Sequence, residues 1–253
     1  MRTRSGGALA AATALLLAGC GGGSTGTGGA PPTSPDAVVS SATGPANVTC
    51  PYGGGGLCVG RLDAGRHRSQ ALHPALAYAV PRGWDNPEDL EANYELLPPG
   101  ATAPAVEAGD ADYVGVYRDV ALEDGCATGP VGGLARTPAA YFRHLSGRPD
   151  LVLTRPRPTH VGGLSGLVAD LHQAPTWHRT CPYSGGKPLS SVLVGIADAG
   201  LDHPIVPRQT MRLYLLQFHR AVLAVEVEDV HSLGTLTASS RIVRTFHFAT
   251  GQR

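Results

Sequence analysis

Ala221-Val222-Leu223-Ala224-Val225-Glu226-Val227-Glu228-Asp229 is the stretch from which the fold is read. Leu223, Val225 and Val227 alternate with Ala224, Glu226 and Glu228, the period of a half-buried strand. That alternation places the two glutamates on a polar, solvent-side face. Residues 210–217 form a second apolar run, and Phe218-His219-Arg220 lies between the two, so the pair reads as an antiparallel hairpin. Beyond it, Leu236, Ser240, Val243 and Phe246 recur at three- and four-residue steps, which predicts an amphipathic helix over residues 232–245.

Upstream of the hairpin the signals are shorter. Strands are expected at 66–72, 76–80, 94–97, 112–120, 151–157, 165–172 and 191–196. His73-Pro74 separates the first two. Asn86-Pro87-Glu88-Asp89-Leu90 reads as one capped helical turn, with proline at its first position and acids at its positive end. Thr137-Pro138 opens a longer helix that Gly147 ends. Val161-Gly162-Gly163-Leu164 reads as a hairpin turn, because paired glycines supply positive φ. Trp84 follows a strand and a turn glycine and is assigned to the core.

The N-terminus says where the protein is expected to live. Arg2 and Arg4 precede an apolar run from residue 8 to 17, then Leu17-Ala18-Gly19-Cys20. A basic head, an apolar run and small residues before a cut site mark an export signal. The run is too short for a spanning helix, which needs about 20 residues. The cut site resembles the bacterial lipobox. The resemblance implies cleavage after Gly19 and a diacylglyceryl thioether on Cys20, and two acyl chains give stable anchoring. Residues 1–19 are therefore read as signal, 20–46 as the lipidated Cys20 and a Gly/Ser/Pro tether, and 47–253 as one globular domain. Such a tether spans on the order of 30 Å.

Lys+Arg equals Asp+Glu at 20 each, and loss of Arg2 and Arg4 leaves 18 basic residues against those 20 acids. A domain this close to neutral has no electrostatic footprint for nucleic acid. Lys187 is the only lysine, and the Arg, Ala, Gly and Pro excess points to a GC-rich, actinobacterial genome. Besides Cys20 the chain has Cys50, Cys58, Cys126 and Cys181, and an even number in an exported chain reads as two disulfides. Three connectivities exist; Cys50–Cys58, closing a Gly-rich loop, with Cys126–Cys181, tying two long loops, is favoured.

Chemistry leaves a thin trace. The four glycines at 53–56 lack the Gly-Lys-Ser/Thr of a phosphate loop. Ser165 lacks the Gly-x-Ser-x-Gly context of a nucleophile elbow, and its strand parity opposes that of Asp170 and His172. The ten histidines show no i, i+4 pair, although folding could gather His172, His178 and His203. No metal or cofactor is expected. The loop 173–189 is the best site candidate, because function concentrates on loops held by a rigid scaffold. Its Trp177, His178, Arg179 and Tyr183, joined by Arg208 from the next loop, form a candidate binding patch; the competing reading makes Trp177 a cap on the sheet edge.

The order of elements, with Val80-Pro81-Arg82-Gly83-Trp84, the Val161-Gly162-Gly163 hairpin and the strand before the last helix, resembles the PsbP-like α/β/α sandwich of mycobacterial lipoproteins of the LpqN type. The resemblance covers about residues 62–248 and implies an α+β domain on a mainly antiparallel sheet; the two disulfides come from the cysteine count, and the Cys126–Cys181 pair and the long loop before Leu189 depart from the family pattern. It also implies a non-catalytic role on the extracytoplasmic face of the membrane, binding a protein or small-molecule ligand. The alternative is an envelope hydrolase using Asp170 with His172 or His178.

Overall fold

The computed structural model describes residues 57–126, 129–182, 184–196, 202–230 and 233–250. In chain order these form β1 (Gly60–Arg61), β2 (Gly65–Arg68), β3 (Leu76–Val80), β4 (Asp85–Asn86), β5 (Asn93–Leu96), α1 (Ala103–Glu107), β6 (Tyr113–Tyr117) and β7 (Val120–Gly125). Then follow α2 (Pro138–Ser146), β8 (Leu151–Leu153), β9 (Arg157–Val161), β10 (Leu164–Gln173), β11 (Ser190–Gly195) and β12 (Asp202–Ile205). Last come β13 (Thr210–Phe218), β14 (Ala221–Asp229), α3 (Leu233–Val243) and β15 (His247–Phe248). No described helix is long and apolar enough to cross a membrane.

The β13–β14 hairpin is the middle of a seven-stranded antiparallel sheet in the order β5-β6-β14-β13-β10-β8, with β9 also paired to β10. Its two strands pair over their whole length, from Thr210↔Asp229 to Phe218↔Ala221. Both faces of the sheet are covered. Leu223, Val225 and Val227 pack with Val114, Val116, Leu236, Val243 and Phe246 on one side, beneath α3 and the small sheet β15-β3-β2. Val222 and Ala224 pack with Leu213, Leu215, Tyr117, Phe142 and Leu193 on the other, beneath α2 and the sheet β12-β11-β7. The expectation of a polar, solvent-side face on β14 is therefore corrected: Glu226 and Glu228 are 0% exposed. The layers are helix-plus-sheet, sheet, helix-plus-sheet, so each helical layer is shared with a small antiparallel sheet.

The local chemistry of α2 matches its sequence. Thr137 caps it, its hydroxyl accepting from the Ala140 N–H at 3.2 Å. Tyr141, Phe142 and Leu145 are buried against the sheet, each worth about 1.5–3 kcal/mol. Arg148, just past the helix, donates to the carbonyls of Glu123 at 2.6 Å and Ser191 at 2.7 Å, tying the helix end to β7 and β11. Gly162 and Gly163 turn the β9–β10 hairpin with φ of 59° and 92°.

Other expectations are corrected. Residues 86–90 form no helical turn. Asn86 instead lies in β4 and donates to the carbonyls of Glu88 and Glu95, both at 2.8 Å. The Asp89 carboxylate accepts from the backbone N–H groups of Gln70 (2.5 Å), Ala71 (3.1 Å) and Leu72 (2.9 Å), so it caps a loop remote in sequence. The single strand expected at 112–120 breaks at Asp119, whose φ is 60°, and its halves enter different sheets. The strand expected at 151–157 divides into β8 and β9. Cys126 and Cys181 are disulfide-bonded, with Cα atoms 5.2 Å apart across 55 residues. Closing such a loop stabilises by ~4 kcal/mol on the chain-entropy account. Cys50, and with it the second expected bridge, lies outside the described residues, as does Cys20.

Candidate functional site

The chain between β10 and β11 is shaped by its own backbone. The Ala174 N–H donates to Asp150 at 2.8 Å, and the Trp177 N–H to Ala174 at 2.9 Å. Thr180 and Pro188 are bridged, Cys181 is tied to Cys126, and the Ser184 hydroxyl donates to the Cys181 carbonyl at 2.9 Å. The segment is therefore a loop closed on itself and tied to Cys126, although nothing but its aromatic and basic content marks it in the sequence.

A cleft of about 400 Å³ lies elsewhere on the molecule, but this loop bounds its own, of about 320 Å³. His172, Trp177 and His178, from β10 and the loop after it, line it together with Pro207 and Arg208 from the turn before β13. The Trp177 ring is fixed, because its Nε1–H donates to the Leu189 carbonyl at 3.1 Å. It is half-buried, while His178 and Arg179 are exposed. The Arg179 guanidinium lies 5.5 Å from the Trp177 ring centroid, within cation–π range. Arg208 has φ of 74°, the left-handed region that costs a non-glycine residue about 1–2 kcal/mol. Pro207 before it and the Gln209 N–H donating to Val206 at 3.2 Å make this a tight turn in which glycine or asparagine would sit more easily. Strain of this kind is found where side-chain placement matters.

Of the expected patch, Trp177, His178 and Arg208 thus share one cleft, Arg179 stacks above the tryptophan, and Tyr183 lies outside the described residues. The arrangement offers an oriented aromatic face, a guanidinium and an imidazole. It suits recognition of a planar or anionic group.

The residues of the hydrolase alternative are engaged differently. Both Asp170 oxygens accept from Arg212, at 2.6 and 2.8 Å. His172 Nδ1 lies 2.9 Å from the Gln173 carbonyl. Ser165 faces His160 across the β9–β10 hairpin, with Oγ 3.2 Å from Nδ1. His203 is not gathered with His172 and His178, and no group of three metal-capable side chains is found among the described residues.

His203 belongs to a cluster that sequence reasoning missed. Beneath β12, the β14 residue Glu226 pairs with Gly115 of β6, and Gly115 pairs with Glu95 of β5. His203 Nδ1 is 2.8 Å from Glu226 Oε2, and the Tyr113 hydroxyl donates to the same oxygen at 2.9 Å. The Tyr117 ring packs 4.0 Å from the His203 ring, and its hydroxyl donates to Glu95 Oε1 at 3.4 Å. Burial raises the Glu95 pKa, with His203 and the Tyr117 hydroxyl working against the rise. Burial, then the neighbouring Glu226, pushes Glu228 well above the usual carboxylate range. Tyr113 and Tyr117 rise for the same first cause. The Tyr-x-Gly-x-Tyr of residues 113–117 was the available signal, two aromatics flanking an empty position on one strand face.

No family model and no curated protein matches this chain. Among solved structures it is similar to the solution structure of cyanobacterial PsbP (CyanoP) from Synechocystis sp. PCC 6803, at 10% identity and a TM-score of 0.35, over 74% of this chain and 94% of that one.

Proposed function

We propose that the protein is a lipid-anchored envelope domain, PsbP-like as its sequence motifs suggest, that binds a partner through the Trp177 cleft rather than catalysing a reaction. The lipobox ending at Cys20 supports the anchor, and a Cys50–Cys58 bridge completes the export-compatible scheme. The cleft carries the binding reading: a fixed indole and a strained Arg208 line one cleft of about 320 Å³, within the size of small-ligand sites. Trp and Arg are the residues that most often dominate binding energy, and a loop pinned at Cys181 loses little entropy on engagement.

A photo-crosslinking amino acid at position 178 of the full-length chain, in intact cells, tests the cleft. A discrete adduct is expected, and Trp177→Ala should abolish it while lowering stability by no more than about 1 kcal/mol, the value of the lost indole hydrogen bond. A melting temperature several degrees lower would make Trp177 a structural cap and remove the site. Separately, Cys20→Ser should release the chain from the membrane or leave it uncleaved; a processed, membrane-bound variant would remove the anchor.

A further inference from the structure

The 400 Å³ cleft lies between the β9–β10 hairpin and the C-terminal end of α3 and shares no lining residue with the Trp177 cleft. Its polar wall is basic: Arg157 on β9, Arg212 on β13, Arg244 just past α3, and His160. Its lining contains no acidic residue. Val161, Val168, Tyr214 and Val243 supply an apolar wall, each of them buried.

The three arginines are not equivalent. Arg212 is held from behind. Asp170 accepts from its Nε and Nη2, and its Nη1 donates to the Ser240 hydroxyl at 3.0 Å, which fixes the guanidinium and neutralises it. Arg157 and Arg244 are exposed, and among the described residues neither pairs with a carboxylate. A cation after a helix is explained by the negative end of the macrodipole, a gain of about 0.3–1 kcal/mol. That accounts for Arg244 alone. It leaves Arg157, brought to the same cleft by a strand hairpin. Two unneutralised guanidiniums with a third fixed between apolar walls make a concave site with excess positive charge. Guanidinium forks match the oxygens of a phosphate, which can serve several forks at once, whereas a carboxylate has two oxygens to share.

We infer that the cleft of Arg157, His160, Arg212 and Arg244 binds a phosphate group carried on an apolar body. A small organic phosphate and a phospholipid headgroup share this chemistry.

The full-length chain in a mild nonionic detergent is titrated calorimetrically with inorganic phosphate, phenyl phosphate, benzoate, and mixed micelles carrying phosphatidylglycerol or phosphatidylcholine. Saturable binding of phenyl phosphate, tighter than inorganic phosphate and benzoate, supports a free organic phosphate. Binding confined to the phosphatidylglycerol micelles supports a headgroup. In either case Arg157→Ala with Arg244→Ala should weaken binding at least tenfold, about 1.4 kcal/mol, with an unchanged melt, because both side chains are exposed. No saturable binding to any phosphate probe, equal binding of benzoate, or affinity unaffected by the double substitution overturns the inference. Trp177→Ala, which leaves this cleft intact, should not alter phosphate affinity, so failure of one site does not entail failure of the other.

Discussion

Gly115→Ala is the perturbation that interrogates the buried acid cluster most directly. A Cβ at Gly115 would lie 2.0 Å from the Tyr117 hydroxyl oxygen, 2.3 Å from Cζ and 2.5 Å from Cε2. Carbon atoms pack at about 3.5–4.0 Å, so the ring must retreat by roughly 1.5 Å. It has nowhere to go: Tyr117 is 0% exposed, and the His203 ring stands 4.0 Å away. Overpacking a filled core costs about 1–3 kcal/mol, and expelling a buried aromatic about 3–5 kcal/mol. Against this, alanine gains about 0.5–1 kcal/mol over glycine within a strand. The net expectation is a loss of about 3 kcal/mol, read from urea unfolding as a lower midpoint at constant slope. Tyr117→Ala removes the obstacle, so the double variant should be no less stable than Tyr117→Ala alone. The coupling between the sites should accordingly be about 3 kcal/mol. Gly115→Ala within about 0.5 kcal/mol of the parent, or additive effects in the double variant, would refute the reasoning.

Glu228→Gln tests the buried charge. Burial raises this carboxyl in the folded state, so between the unfolded value near 4.3 and the raised one the folded protein holds a proton that the unfolded chain has lost. Stability then falls as pH rises through that window, and Glu228→Gln should flatten the fall and raise the melting temperature at neutral pH; parallel pH profiles for the two proteins would sink the idea. Arg208→Gly should relieve the left-handed backbone and stabilise the fold by about 1 kcal/mol, yet abolish the crosslinked adduct at position 178. A variant that is no more stable and still crosslinks would mean that Arg208 is neither strained nor part of the recognition surface.

The hairpin, both longer helices and the Gly162-Gly163 turn were legible because each depends on contacts close in sequence. A cap reaches three residues, and a β-turn fewer. Asp89 was misread for the opposite reason. Its Asn-Pro-Glu-Asp context is that of a helix start, but its carboxylate is claimed by three N–H groups near residue 70. Local grammar was sound there and tertiary competition won. The cleft around Trp177 was legible in composition but not in geometry. That Arg208 and Trp177 line one cleft depends on where the Pro207 turn falls relative to the β10–β11 loop, and no local pattern encodes that distance.

The glutamates of β14 carry the sharper lesson. Period-2 alternation reports which residues share a face; it does not report whether that face meets water. Glu226 and Glu228 have the parity expected of them, and they are buried because β12-β11-β7 lies on top. That covering sheet comes from segments with weak signals of their own: β12 is four residues around a proline, and β11 is interrupted by a register shift between Ser191 and Leu193. A strand therefore inherits its environment from elements that the pattern cannot announce. Two carboxylates kept inside, with a histidine and two tyrosines that β6 and β12 supply, cost stability that an apolar face would not. The empty position at Gly115, which lets the Tyr117 hydroxyl reach Glu95, is what makes the arrangement fit. Covering the polar face of a central hairpin is thus the step at which this chain departs from its simplest reading, and at Glu226 the Tyr113 hydroxyl and the His203 ring are what make the departure tolerable.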